Sequence, residues 1–169
     1  MSATDTSNRV LDAVKVNQKI TRIAYEIIEN NFKEKTLVIA GLDGQGYLLA
    51  KQIAAELGKI SSVKINLVKV SLDKFSPQQS EVKLDAETKD IKKKCIVLVD
   101  DVLNTGRTLA YGMKPFLNIE VKKIEVAVLV NRSNTLFPIT PTYTGYELAT
   151  TLTDHVEVVL GKNASVYLR

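Results

Sequence analysis

Cys95-Ile96-Val97-Leu98-Val99 is an apolar run without alternation, and it restricts the fold more than any other segment. A strand with one wet face alternates polar and apolar residues. A strand that does not alternate is covered on both faces, as in the centre of a parallel sheet. Thr36-Leu37-Val38-Ile39-Ala40 is a second such run, closed by Gly41. Parallel neighbours require crossover connections, and helical patterns stand in the right places. Val16, Ile20, Ile23, Ala24, Ile27 and Ile28 recur at three and four, predicting a helix from Asp12, its N-cap, to about Asn30. A second amphipathic helix is expected from about Tyr47 to Leu57, stopping at Gly58. Val63–Ser71 reads as a strand, Asn104–Thr108 opens a helix to about Leu117, and Val121–Val130 is a further strand. This alternation predicts an α/β fold, a mostly parallel sheet with helices on both faces.

Two segments resist the pattern. Leu72–Asp90, with Pro77, Gln78, Gln79 and Ser80, reads as a long mobile loop or an exposed hairpin. Asn131–Arg169 reads as short strands and turns, with Val156–Leu160 and Ala164–Leu168 pairing around Gly161-Lys162-Asn163. The whole chain, residues 1–169, is expected to form one domain.

Ligands of doubly wound sheets sit beyond the carboxyl ends of the strands. There the chain places Asp100-Asp101, followed by the small-residue turn Asn104-Thr105-Gly106-Arg107-Thr108 at a helix start. Helix N-terminal amides, the Thr105 and Thr108 hydroxyls and the helix dipole make a phosphate cradle, and Gly106 allows close approach. Carboxylates beside a phosphate site need mediators, which ribose hydroxyls and Mg2+ supply. The pattern therefore predicts a sugar phosphate ligand. The glycine-rich turn Leu42-Asp43-Gly44-Gln45-Gly46 lies at the neighbouring strand end. The chain has neither a Walker A sequence nor the spacing of a dinucleotide-binding turn.

Other chemistries are excluded by composition. One cysteine, Cys95, and one histidine, His155, allow no internal disulfide and no cysteine or multi-histidine metal cage. Cys95 reads as core and His155 as a strand-edge residue. No apolar run approaches bilayer length and no secretory leader is visible, so a soluble cytoplasmic protein is expected. The net charge of +4 suits an anionic ligand.

Val97–Leu109 resembles the phosphoribosyl diphosphate (PRPP) signature of type I phosphoribosyltransferases. The likeness extends to Thr21–Glu29, Gly46–Lys51, Val126–Arg132, Leu136–Ile139 and Val156–Leu160, and is greatest to the pyrimidine-operon attenuator/uracil phosphoribosyltransferase group. It implies the type I fold, with a small C-terminal hood over 131–169. The implied reaction is Mg2+-assisted transfer of ribose 5-phosphate from PRPP to a nucleobase, uracil above all, with pyrophosphate release. By the same resemblance Asp100 and Asp101 are catalytic and meet the metal through ribose or water. Asn104, Thr105, Gly106, Arg107 and Thr108 hold the 5′-phosphate, Leu42–Gly46 the pyrophosphate, and Arg132 and Phe137 lie on the base side. The 72–90 segment closes over the site, and the chain forms a homodimer or larger homo-oligomer. Tyr146 is a further candidate to stack on a base.

The chain also departs from that group. Asp43 and Gln45 stand where a lysine and an arginine are usual, Gly44 replaces a threonine, and Asn104 a tyrosine. The loop carries Lys74 and Lys83 but no arginine. After Arg132 the sequence runs Ser133-Asn134-Thr135-Leu136 rather than through a basic cluster, which disfavours RNA binding. The alternative to an active transferase is a catalytically weak PRPP- or nucleotide-binding regulator of pyrimidine metabolism.

Overall fold

The computed structural model describes residues 8–73 and 81–169. Helix α1 (Ala13–Asn30) starts at Asp12, whose carboxylate accepts the Lys15 N–H at 2.9 Å. It ends at Asn31, whose Nδ2 donates to the Ile27 carbonyl at 2.8 Å. Strand β2 (Thr36–Leu42) continues one residue past Gly41, and α2 (Gln45–Ile60) runs through Gly58. A side chain at Gly58 would meet open space, so nothing tertiary uses that glycine to stop the helix.

Strands β2, β3 (Lys64–Ser71), β5 (Cys95–Leu103), β6 (Lys123–Asn131) and β7 (Tyr143–Glu147) pair in parallel. The two-residue β4 (Lys83–Leu84) adds antiparallel to β3, giving the order β4-β3-β2-β5-β6-β7. Around it, part of the 72–90 segment is a hairpin arm and a helical turn, α3 (Thr88–Ile91). The centre of that expected loop, residues 74–80, lies outside the described residues.

Parity along the strands sorts the core into two layers. Leu37 and Ile39 with Cys95, Val97 and Val99 pack under α1 and α2. Val38 and Ala40 with Ile96 and Leu98 pack on the other face against Leu109 and Phe116 of α4 (Arg107–Leu117). The unalternating runs are thus buried twice over, and Cys95 is core, its thiol pushed up by burial.

Of residues 131–169, only 156–168 build a separate sheet. Strand β8 (Val156–Val159) pairs antiparallel with β9 (Ser165–Leu168), and β1 (Arg9–Leu11) completes the order β1-β9-β8. Val156, Val158 and Val166 seat this sheet on the α1/α2 side of the core. Among the described residues no helix is long and apolar enough to cross a membrane.

A buried polar cluster fixes β7 to the main sheet. The Tyr143 hydroxyl donates to Glu125 Oε2 at 2.9 Å, and Asn31 Nδ2 donates to Glu125 Oε1 at 2.8 Å. Burial, and then the Glu125 carboxylate, push the Tyr143 phenol well above its ordinary value of 10. A phenol held protonated in the folded state makes the protein bind more protons folded than unfolded above that value. Its contribution is therefore complete below about pH 10 and is lost as pH rises further. Melting temperatures measured from pH 8 to 11 are expected to fall above pH 10. Tyr143→Phe is expected to flatten that limb while lowering stability by about 1–3 kcal/mol at neutral pH, because Glu125 loses a donor. Equal alkaline losses in both proteins would refute this account.

Candidate active site

The strand that enters the core as Cys95–Val99 keeps its ladder through Leu103, so the aspartates are part of it. Asp100 is 4% exposed, and its Oδ1 accepts the Asp101 N–H at 2.9 Å. Gly106 then turns the chain with φ 86° and caps α4. Of the first-turn amides, Arg107 donates to Thr105 Oγ1 at 3.2 Å and Ala110 to the Gly106 carbonyl at 2.9 Å. Thr108 and Leu109, between them, line a cavity.

That cavity, about 420 Å³, joins Asp100–Gly106, Thr108 and Leu109 to His155, Val156, Glu157 and Val158. It therefore gathers Asp100, Asp101, Asn104, Thr105, Gly106 and Thr108 of the expected site. His155 also keeps the strand-edge role read from the sequence. Its N–H and carbonyl pair with Arg169, each at 2.7 Å.

Besides the glycine-rich turn, four candidates stand outside the lining: Arg107, Arg132, Phe137 and Tyr146. The Arg107 guanidinium lies 4.9 Å from the Tyr111 ring centroid, and that ring meets Phe137 edge-on at 6.3 Å. Phe137 and Ile139 buttress the turn from behind, with the Leu136 and Phe137 N–H groups donating to the Thr105 carbonyl. Arg132 donates from Nη1 to Asn104 Oδ1 at 2.7 Å and from Nε to Thr150 Oγ1 at 2.9 Å. Its Nη2 donates to the Asp154 carbonyl at 2.7 Å. Tyr146 packs on the α1 side, with the Lys19 ammonium 5.8 Å from its ring centroid.

The glycine-rich turn borders the cavity without lining it. Asp43 Oδ1 accepts the Gly44 N–H at 2.9 Å, and Gln45 Oε1 accepts the Leu160 N–H at 3.1 Å. Gly46 lies against Asp100. A β-carbon there would lie 2.8 Å from Asp100 Oδ1 and 3.1 Å from the Val99 carbonyl oxygen. Gly46→Ala is expected to displace the Asp100 carboxylate and lower stability by about 1–3 kcal/mol, read by denaturant unfolding. An unchanged midpoint would show that the contact relaxes freely.

Among the described residues no three His, Cys, Asp or Glu side chains converge on a metal position. A caged structural ion does not fit. Mg2+ shared with a phosphate ligand does, because it needs only one or two protein carboxylates, and Asp100 and Asp101 line the same cavity as Thr108 and Leu109 of α4.

A strand-end carboxylate pair and a helix start line one cavity beyond the carboxyl end of the parallel strand β5, the place where open α/β sheets bind ligands. Residues 6–160 match the phosphoribosyl transferase domain, and the chain belongs to that family. Within it, the bifunctional protein PyrR of Limosilactobacillus reuteri is 35% identical over 163 residues, covering 91% of this chain and 92% of its own length. PyrR of Leuconostoc mesenteroides is 33% identical over 168 residues, covering 94% and 96%. The group resemblance drawn from Val97–Leu109 and its flanking segments holds. Among solved structures, the hypoxanthine phosphoribosyltransferase of Trypanosoma cruzi superposes with a TM-score of 0.73 at 11% identity, over 88% of this chain and 84% of its own. The hypoxanthine-guanine phosphoribosyltransferase of Bacillus anthracis gives 0.67 at 19%, over 83% and 82%. The type I fold is thereby shared.

The strand read at Val156–Leu160 pairs with its expected partner, and what the sequence did not show is that it walls the cavity. Val156 and Val158 alternate with Glu157, a signal for a half-buried strand but not for where it docks.

Proposed function

We propose that this chain transfers ribose 5-phosphate from PRPP to a nucleobase, uracil first, and releases pyrophosphate. The observation that carries the reading is a cavity bounded by Asp100, Asp101, Thr105, Gly106, Thr108 and Leu109. Its volume of about 420 Å³ suits a small-molecule ligand. The 5′-phosphate is assigned to Asn104–Thr108 and the ribose hydroxyls to Asp100 and Asp101. Positive charge grows on the sugar as pyrophosphate leaves, and the two carboxylates stabilise it. Asp100 and Asp101 would hold Mg2+ through ribose or water, and the ion would supply positive charge against the departing pyrophosphate. The pyrophosphate is assigned to the Leu42–Gly46 turn. The reading includes a single cytoplasmic domain acting as a homodimer or larger, on the family resemblance alone.

A second reading, a PRPP- or nucleotide-binding regulator with little turnover, is favoured by that turn. Its five residues carry no cation, and the Asp43 carboxylate and Gln45 amide are engaged with protein N–H groups. Pyrophosphate release from magnesium PRPP with a panel of free bases separates the two. Base-dependent release is expected, fastest with uracil. PRPP binding without release for any base would replace the transferase by the regulator, and absence of binding of both PRPP and nucleotides would refute both.

A further inference from the structure

Strand β8 forms one wall of the cavity and is the edge strand of its sheet, so only one of its sides has a backbone ladder, to β9. Val156 and Val158 bury it in the core, but apolar burial is non-directional and does not by itself fix a strand along its length. Directional bonds are made just outside its two ends. Before β8, Arg132 binds the turn 150–154 through Thr150 Oγ1 at 2.9 Å, the Thr151 carbonyl at 3.3 Å and the Asp154 carbonyl at 2.7 Å. Asp154 keeps that turn closed by accepting the Thr151 N–H at 2.7 Å, a bond that holds its carboxyl below the usual range. After β8, the Leu160 N–H donates to Gln45 Oε1 at 3.1 Å. Each anchor is rooted in a segment assigned to the ligand. Arg132 reaches Asn104 of the phosphate turn at 2.7 Å, and Gln45 opens α2 in the glycine-rich turn.

We propose that Arg132 and Gln45 are positioning residues that latch β8 at both ends and so set the distance between the cavity wall and the phosphate turn. Neither need touch the ligand, and each acts through the strand it holds. The proposal rests on the transferase or regulator reading only for the identity of the ligand. It also gives a role to Gln45 and Asn104, two of the positions at which this chain departs from the group it resembles.

Amide hydrogen exchange on the full chain without ligand tests the latch, and calorimetric titration with magnesium PRPP tests its effect. Gln45→Met is expected to speed exchange at Leu160 and β8 about fivefold, the size of one lost net hydrogen bond, with β2 and β5 unchanged. Gln45→Glu, which keeps the acceptor, is expected to restore slow exchange. Arg132→Met is expected to speed exchange across 151–158, and Arg132→Lys not to rescue it, because lysine lacks the fork that reaches Asn104 and the turn together. Both methionine variants are expected to weaken PRPP binding about fivefold or more. Unaltered exchange at β8 would overturn the latch. Faster exchange with unaltered PRPP affinity would reduce it to a purely structural contact and overturn it equally. If the unmutated chain binds no PRPP, the function proposed above falls, and exchange with the Gln45→Glu rescue decides the latch alone.

Discussion

Replacing both Asp100 and Asp101 by asparagine is expected to slow base-dependent pyrophosphate release from magnesium PRPP by roughly 10²–10³-fold. Asparagine has the shape of aspartate, and at position 100 its Oδ1 still accepts the Asp101 N–H, so the strand end is preserved. What disappears is negative charge beside a sugar that becomes positive as its leaving group departs. Asp100 is buried, where that charge is worth far more than on the surface. The two aspartates are adjacent and are proposed to serve one ribose, so the double variant is expected to lose little more than the worse single variant. Rates from a coupled pyrophosphate assay, with circular dichroism melts as the folding control, supply the check. A well-folded double variant running at the unmutated rate would remove the aspartates from the mechanism.

The second large effect is expected at Gly106. Its φ of 86° lies in the left-handed region, where a branched side chain is strained. A β-carbon would also stand 3.2 Å from Ile139 Cγ1 and 3.5 Å from Phe137 Cβ, atoms of the segment that backs the turn. Gly106→Val therefore combines backbone strain with overpacking, together about 2–4 kcal/mol. For a chain of this length that corresponds to a melting temperature lower by about 4–16 °C. The phosphate cradle distorts with the turn, so the thermal stabilisation that PRPP gives the unmutated chain should vanish. Gly106→Asn, a residue that tolerates this φ, is expected to retain part of it. Ligand stabilisation undiminished in the valine variant would place the phosphate elsewhere.

How far the sequence disclosed this protein depended on whether a feature was local. Cys95–Val99 and Thr36–Ala40 announced buried parallel strands because burial on both faces leaves no room for alternation. Asp12 announced its helix because capping involves a residue three positions away. Asp100–Thr108 was legible for the same reason, since strand end, turn and helix start are contiguous. Features made across long separations were not. Arg9–Leu11 has no pattern of its own and becomes a strand because β9 is there to receive it. Tyr143–Glu147, interrupted by Gly145, joins the parallel sheet beside β6, fastened by the Tyr143–Glu125 bond. Arg132 and Phe137 meet the phosphate turn across about 30 residues, Arg132 at Asn104 Oδ1 and Phe137 beside Gly106, contacts that residue type alone does not disclose.

The pairing of Arg9 with Tyr167 also bears on how the molecule is made. The six-stranded sheet is assembled largely from neighbours in the chain, and all its strands lie before β8. The three-stranded sheet must instead join Arg9 to Tyr167, a contact that a growing chain cannot form until every strand of the six-stranded sheet has emerged. Such distant contacts are the slow ones. The floor of the cavity is therefore expected to be in place while its roof is still missing. Pulse-labelling during refolding should find β2 and β5 protected before β8 and β9, with PRPP affinity arriving only with the later pair.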